Sequence, residues 1–528
     1  MRALFNDFLR WYVGHSLVFL GHLLRFSHRK KIKNFVANQK SLRENYQIQN
    51  DTPLSSYGQA MEESLQDFSQ KQKEVDYALT SGSTSSPKKI PYTPKRVKRV
   101  KQTFIDVFAR AYAAHPPKRH ALYVFSAISQ DQSLTGMLLE EPKLPFYLAG
   151  LQAPYRVQNH PDVHQLTQVY GATAIRLWVI SLSNPGVLYS TNPSTLSTFL
   201  DQIESDWETC HALIRDFVEK PKQFKPSIHR IAQRICSRGY QARLQQLAQS
   251  STALSFDKIA PKVEAISCWT GGYVQPFIDR VRIHLPAAKY RIIPMYSMST
   301  ETIETITDFR DQKTQFLPLA EDVLYEFLPE GENDEPDKLV GPLELEIGQS
   351  YTMVVSDPYG LRRYQTEDLF ECKGKVEGLP DLHFLRRRAL EYSFTGEKIT
   401  AVQLSATYKR LREEISIFSS DTFITLMPST TPMPHYKLIV VDTDISGAKE
   451  EIEARFDVLL GEQNDEYDSK RKSDRLGRPE LLNMSLEELV RRTVNKVHEG
   501  SWESQFKFLP LYRRTWEESE AISPNGDQ

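Results

Sequence analysis

From Leu122 onward, short apolar runs alternate with longer helical patterns, and this alternation limits the fold more than any other feature of the chain. The runs Leu122–Phe125, Ala174–Ser181, Ala265–Trp269 and Tyr290–Met295 have the length of strands, and a helical stretch, Leu196–Phe217, falls among them. Strands separated by helices belong to a largely parallel sheet, because parallel neighbours need a long crossover between them. At 528 residues the chain exceeds one ordinary core. The expectation is therefore an α/β protein: a large N-terminal layered α/β domain over residues 1–385, opened by a helical lead-in (1–75). A small α+β domain over 386–516 and a disordered tail over 517–528 would follow.

Finer expectations follow the same logic. A helix spans Pro94–Ala114, entered through the basic run Lys95-Arg96-Val97-Lys98-Arg99. Those charges read as a solvated face rather than a nucleic-acid patch, and a formal net charge of -1 leaves no global field to attract nucleic acid. The acidic stretch Pro329 to Pro336 reads as an exposed loop, with Glu344–Ile347 and Tyr351–Ser356 as antiparallel strands after it. The last third offers a strand-helix set (Lys398–Ile415) and strands at Thr422–Met427 and Tyr436–Val441. Helices at Ala448–Leu459 and Ser485–Val497 flank a charged loop, Asn464–Pro479.

Cys210, Cys236, Cys268 and Cys372 lie far apart with no Cys/His cluster, which argues against a disulfide scaffold or a structural zinc. The pattern fits a reducing, cytoplasmic setting. Trp11 to Phe26 is apolar but too short and too interrupted to span a bilayer. A helix packed on the body of the protein is the reading taken. Membrane contact by this helix is the alternative, since the basic run His28-Arg29-Lys30-Lys31 follows it.

Three segments carry chemistry. Thr80-Ser81-Gly82-Ser83-Thr84-Ser85-Ser86-Pro87-Lys88-Lys89 follows an apolar stretch. A loop of Gly, Ser and Thr offers N–H groups and hydroxyls to a polyphosphate, and Lys88 adds a point charge. A plain flexible linker would look the same, and the spacing is not that of a Walker loop. Tyr296-Ser297-Met298-Ser299-Thr300-Glu301 follows a second apolar run; its carboxylate can ligate Mg²⁺ while the hydroxyls touch phosphate. A helix N-cap at Ser299 or Thr300 is equally open. In Tyr359-Gly360-Leu361-Arg362-Arg363-Tyr364-Gln365-Thr366-Glu367-Asp368, an acidic residue after a strand can hold ribose hydroxyls or merely cap a turn.

Taken with the segment from Phe384 to Lys398 that contains Arg386-Arg387-Arg388, and with Gln505-Phe506-Lys507, these motifs resemble the auxin-responsive Gretchen Hagen family of acyl acid amido synthetases. The resemblance runs from about Leu79 to Lys507. It implies an adenylate-forming fold with a small mobile C-terminal domain. It also implies a ligase that uses ATP and Mg²⁺ to turn a small carboxylic acid into an acyl-adenylate, then transfers the acyl group to an amine such as an amino acid. By resemblance Ser81, Gly82, Ser83, Thr84 and Ser85 hold the ATP phosphates with Lys88 and Ser299, and Thr300 approaches the α-phosphate. Glu301 ligates Mg²⁺, Gly271 and Gly272 run along the adenine and acyl group, and Tyr296 is the aromatic of the second motif. Asp368 binds the ribose, Arg387 sits at the domain hinge, and Lys507 bridges carboxylate and α-phosphate. A thiol acceptor (coenzyme A or a protein) and a non-catalytic nucleotide- or acid-binding relative stay open. Nothing in the sequence demands more than a monomer. The chain departs from the wider superfamily at Ser85, where glycine is often found. It departs from the family pattern at Gln365 and Glu367, where arginine and glycine are usual, and in the placing of Tyr296 one residue early.

Overall fold

The structure, a computed structural model, describes residues 1–79, 88–125, 160–310, 313–388, 391–392, 397, 399–473, 475–493, 508–512 and 514–520. Its centre is a four-stranded, all-parallel sheet in the order Leu122–Phe125, Val187–Ser190, Ala265–Cys268, Arg291–Pro294. Side chains alternate between its two faces. Tyr123, Phe125, Leu188, Ile266 and Cys268 pack with helices Pro161–Ser183, Pro193–Ser205, Trp207–Glu219 and Gln275–His284. Leu122, Val124, Val187, Ala265 and Ile293 pack with helices Arg2–Lys33 and Pro94–Ala114. Burial on both faces explains why these strands read as continuous apolar runs.

The helices begin where capping chemistry allows. Thr93 accepts from the Arg96 N–H with Pro94 in the first turn, Asn192 does the same before Pro193, and Thr400 with Gln403 forms a capping box for Ala401–Glu414.

Four expectations are corrected. Ala174–Ser181 is the second half of the helix Pro161–Ser183, not a strand. Residues 173–183 are buried all round, so no helical stripe survives in the sequence, and a buried helix then resembles a buried strand. Glu344–Ile347 holds no strand; Pro342–Glu344 is a 3₁₀ turn whose Glu344 side chain accepts from the Gly341 N–H. The charged segment Asn464–Pro479 contains a helix, Asp465–Lys472, with Asn464 capping it through the Tyr467 N–H. Residues 517–520, expected in the tail, belong to the helix Trp516–Glu520, with Ser519 fully buried and Glu517 accepting from the Thr430 and Thr431 N–H groups.

A second sheet, antiparallel, is ordered Leu379–Arg387, Tyr364–Val376, Ser350–Ser356, Leu324–Pro329. The C-terminal sheet joins Phe423–Ser429, His435–Val441 and Glu480–Met484. One of its faces packs on helices Ala401–Glu414 and Lys449–Gln463. From its other face Phe423 meets Phe277 (ring centroids 4.3 Å apart) and Phe508 (5.1 Å), so this sheet shares a core with the N-terminal body.

Candidate nucleotide and acyl site

The site forms where the parallel strands end. In parallel α/β sheets ligands collect at the carboxyl ends of strands, because the loops there are free to vary while the sheet holds them. Two such loops, Trp269–Gly272 and Met295–Glu301, face the antiparallel sheet.

The first loop lies hard against that sheet. Gly272 has φ 68°, and a Cβ added there would meet the Leu385 carbonyl oxygen at 2.8 Å. At Gly271 it would meet the Trp269 indole nitrogen at 3.0 Å and the Phe384 carbonyl oxygen at 3.1 Å. Glycine is required by contact at both positions and by backbone conformation at Gly272.

The second loop is a tight hairpin. Met298 bridges Ile303, Ser299 N–H donates to the Thr302 carbonyl (3.1 Å), and Thr302 N–H donates to Ser299 Oγ (3.3 Å). No helix follows, so the alternative of a helix N-cap at Ser299 or Thr300 fails. The turn is pinned from below: Tyr92 OH donates to the Thr300 carbonyl (2.8 Å), and Arg96 donates to the Glu301 carbonyl. Arg96, expected on a solvated face, is buried with its guanidinium 4.5 Å from the centre of the Tyr92 ring and 5.1 Å from that of Tyr359. It faces Asp357 at 3.9 Å, whose carboxyl burial pushes up to about 6 although Arg96 opposes the shift.

The hairpin delivers Glu301 to Lys88. Lys88 Nζ donates to Glu301 Oε1 (3.1 Å) and to Tyr364 OH (2.7 Å). Burial alone would raise the Glu301 carboxyl, but Lys88 and then Arg387 more than offset it, and the group is held below the usual carboxylate range. Glu301 is thus an ionised carboxylate in a nearly closed setting.

Asp368 arrives from the antiparallel sheet through a bulge. Thr352 pairs with Leu369 and Val354 with Gln365, so Met353 alone faces the three residues 366 to 368. Thr366 Oγ1 ties the bulge by donating to the Met353 carbonyl (3.1 Å) and accepting from the Asp368 N–H (3.2 Å). Asp368 Oδ1 then accepts from Arg387 Nε (3.1 Å), its register partner on the next strand. Glu367, where the family resemblance expects glycine, has φ 64°, the left-handed region that glycine enters without strain. Gln365 accepts weakly from Arg388 (3.4 Å).

Tyr296 stands among Trp269, Phe370 and Phe384, with ring centroids 5.8 to 6.1 Å away. Its hydroxyl donates to Glu304. Burial first, and then the charge of Asp368, push the Glu304 carboxyl well above its ordinary value.

Lys88, Glu301, Tyr296, Asp368 and Arg387 are therefore gathered in one electrostatic cluster, and Gly271 and Gly272 pack on the strand that carries Arg387. Ser299 and Thr300 shape the hairpin beside it. Ser81, Gly82, Ser83, Thr84, Ser85 and Lys507 lie outside the described residues. Sequence reasoning missed Glu304, Tyr364 and Arg96. Glu304 had a faint signal, the repeated Glu-Thr pairs at 301–302 and 304–305; Tyr364 lay within the third motif, and nothing local marked Arg96 as buried. Among the described residues no group of three His, Cys, Asp or Glu side chains gathers to hold a metal.

Residues 63–289 match the GH3 family N-terminal domain, and residues 316–387 match the GH3 family central domain. Together they span more than half of the chain. The chain belongs to the GH3 family. Among curated GH3 relatives, a jasmonoyl–L-amino acid synthetase GH3.5 of Oryza sativa subsp. japonica is 23% identical over 403 residues, covering 68% of this chain and 65% of that protein. A probable indole-3-acetic acid-amido synthetase GH3.9 of the same organism is 30% identical over 86 residues, 16% of this chain and 20% of the relative. The chain thus spans about a fifth of one relative's length and just under two thirds of the other's. The GH3 fold is shared with a solved GH3.15 acyl acid amido synthetase in complex with 2,4-DB: TM-score 0.68, 16% identity, covering 89% of this chain and 86% of that one.

Proposed function

We propose that this GH3 protein is an ATP-dependent acid–amine ligase. It converts a small carboxylic acid to an acyl-adenylate and passes the acyl group to an amine, an amino acid in the first instance. The names of the relatives, a probable indole-3-acetic acid-amido synthetase and a jasmonoyl–L-amino acid synthetase, support that class of reaction. The observation that carries the reading is the convergence of Lys88, ionised Glu301, Asp368 and Arg387 at the carboxyl ends of the parallel strands.

A carboxylate is a poor electrophile, and AMP supplies the leaving group it lacks. Attack on the α-phosphate accumulates negative charge, so preorganised cations lower the barrier most. In this reading Lys88 and Arg387 supply fixed positive charge, Asp368 accepts from the ribose hydroxyls, and Thr300 lies toward the α-phosphate. Gly271 and Gly272 carry backbone along the adenine and acyl group, a role that rests on the family resemblance. The Ser81–Ser85 loop cradles the phosphates and Lys507 bridges carboxylate and phosphate, roles that rest on the family resemblance. Mg²⁺ held with Glu301 would neutralise phosphate charge, and one ionised carboxylate beside the Ser299 and Thr300 hydroxyls suits it. The four free, buried cysteines support a reducing, cytoplasmic compartment.

The test is ATP–pyrophosphate exchange with Mg²⁺ across aryl, indolyl and fatty acids. Acid-dependent exchange is expected, falling roughly 100-fold or more in Glu301→Ala and Glu301→Gln variants that still unfold cooperatively. Absence of exchange with every acid, while ATP still binds, would overturn the proposal in favour of a binding protein. An acceptor series with the activated acid then separates amino acids from coenzyme A.

A further inference from the structure

The helix Arg2–Lys33 is apolar on two opposite faces. The inner face is fully engaged. An added Cβ at Gly14 would lie 2.1 Å from the His120 ring, and one at Gly21 would lie 2.0 Å from the Ala109 carbonyl oxygen, so the helix sits directly on its neighbour. Polar ties complete the seat. Asp7 pairs with Arg119 (2.8 Å), Arg10 donates to the Ile235 carbonyl (2.6 Å), and His28 bonds Asp308 (3.0 Å).

The outer face is the unusual one. Phe5, Phe8, Trp11, Tyr12, Phe19 and Phe26 are 61, 59, 53, 53, 65 and 71% exposed. At about 100° per residue they fall within one sector about 120° wide, directly opposite Val13, Leu17 and Gly21. Scattered exposed apolar residues are ordinary on a soluble surface, but a continuous aromatic row along a 32-residue helix is not. The charges on this helix identify what covers the row. Its one acidic residue, Asp7, is tied inward to Arg119, and none is exposed. Arg25, Arg29, Lys30 and Lys33 are all exposed, and Arg29, Lys30 and Lys33 continue the aromatic sector at its C-terminal end. No helix of the described residues is long and apolar enough to cross a membrane.

We propose that this helix docks the protein on an anionic lipid surface, lying in the plane of the headgroups. The rings enter the acyl boundary and the C-terminal cations meet phosphate or carboxylate headgroups. Trp and Tyr favour that boundary because one edge of the ring is apolar and the other can hydrogen-bond. A protein partner would need a long, flat apolar face with an acidic end, whereas an anionic bilayer presents both without further design. The proposal is independent of the catalytic reading.

The test is co-sedimentation of the full chain with phosphatidylcholine vesicles, with and without phosphatidylserine. Binding to the anionic vesicles is expected. It should weaken about tenfold in Phe8→Ser/Trp11→Ser/Phe19→Ser and also in Arg29→Glu/Lys30→Glu, with thermal unfolding unchanged in both. No binding by the wild type, or binding by both variants as strong as the wild type's, would overturn it. So would a dimer by light scattering that the serine variant makes monomeric while vesicles bind neither protein, since a second copy would then own the face.

Discussion

At the scale of single residues, the site works through opposed terms that nearly balance. Glu301 is almost fully buried, yet Lys88 and Arg387 keep it ionised. A carboxyl held low contributes stability above its unfolded pKa and loses it as pH falls through the folded value. Lys88→Met removes the larger of the two favourable partners. The acid limb of the exchange reaction should then move to higher pH, because Glu301 would protonate sooner. A pH profile checks this, and an unmoved limb would mean that another group sets it. Glu367→Gly should act in the opposite sense on stability. It relieves a left-handed φ of 64° and a carboxyl that burial already pushes up. Strain relief of about 1–2 kcal/mol exceeds the added chain entropy of about 0.5–1 kcal/mol, so urea unfolding should show a gain of about 0.5–1 kcal/mol.

At the scale of elements, two close contacts set the geometry. Gly272→Ala forces both an unfavourable φ and a clash with the Leu385 carbonyl, and the loop must withdraw from the strand Leu379–Arg387. Strain of about 1–3 kcal/mol is expected, with nucleotide affinity reduced more than overall stability, as titration calorimetry beside thermal unfolding would show. The N-terminal helix depends on the notch between Gly14 and His120. Burial, with His15 adding to it, lowers the His120 pKa to about 4. A histidine held neutral when folded contributes stability above its unfolded value of 6.5 and loses it as pH falls toward about 4. Thermal unfolding between those two pH values should therefore fall more steeply in the wild type than in His120→Gln.

At the scale of the molecule, the small C-terminal sheet is joined to the body through Phe277, Phe423 and Phe508 rather than through a polar surface. Removing a buried Phe typically costs about 3–5 kcal/mol. In Phe423→Ala that loss falls both within the sheet and across the junction. Denaturant unfolding should split into two transitions, the earlier one reporting the C-terminal sheet. A single transition would show that the junction is held elsewhere.

Much of this architecture can be read locally. Leu122–Phe125, Ala265–Cys268 and Arg291–Pro294 are short apolar runs between helices, and chain order alone supports their parallel pairing. The candidate site residues were also marked by local chemistry, Lys88 after a Gly/Ser/Thr loop and Glu301 after hydroxyl residues, whereas Asp368, expected after a strand, lies within the strand Tyr364–Val376. Tertiary structure decided the rest. Ala174–Ser181, a helix, reads as a strand because burial on all sides erased the periodicity that would have shown it. Arg96 is buried because Tyr359 and Asp357, from the turn after the distant strand Ser350–Ser356, close over it opposite Tyr92. The Glu304 carboxyl is pushed up because the fold buries it and, second, because a three-residue bulge brings the charge of Asp368 beside it. Residue types and short spacings state which chemistry is available; burial and long-range register, which no local window contains, set which groups carry charge and which meet.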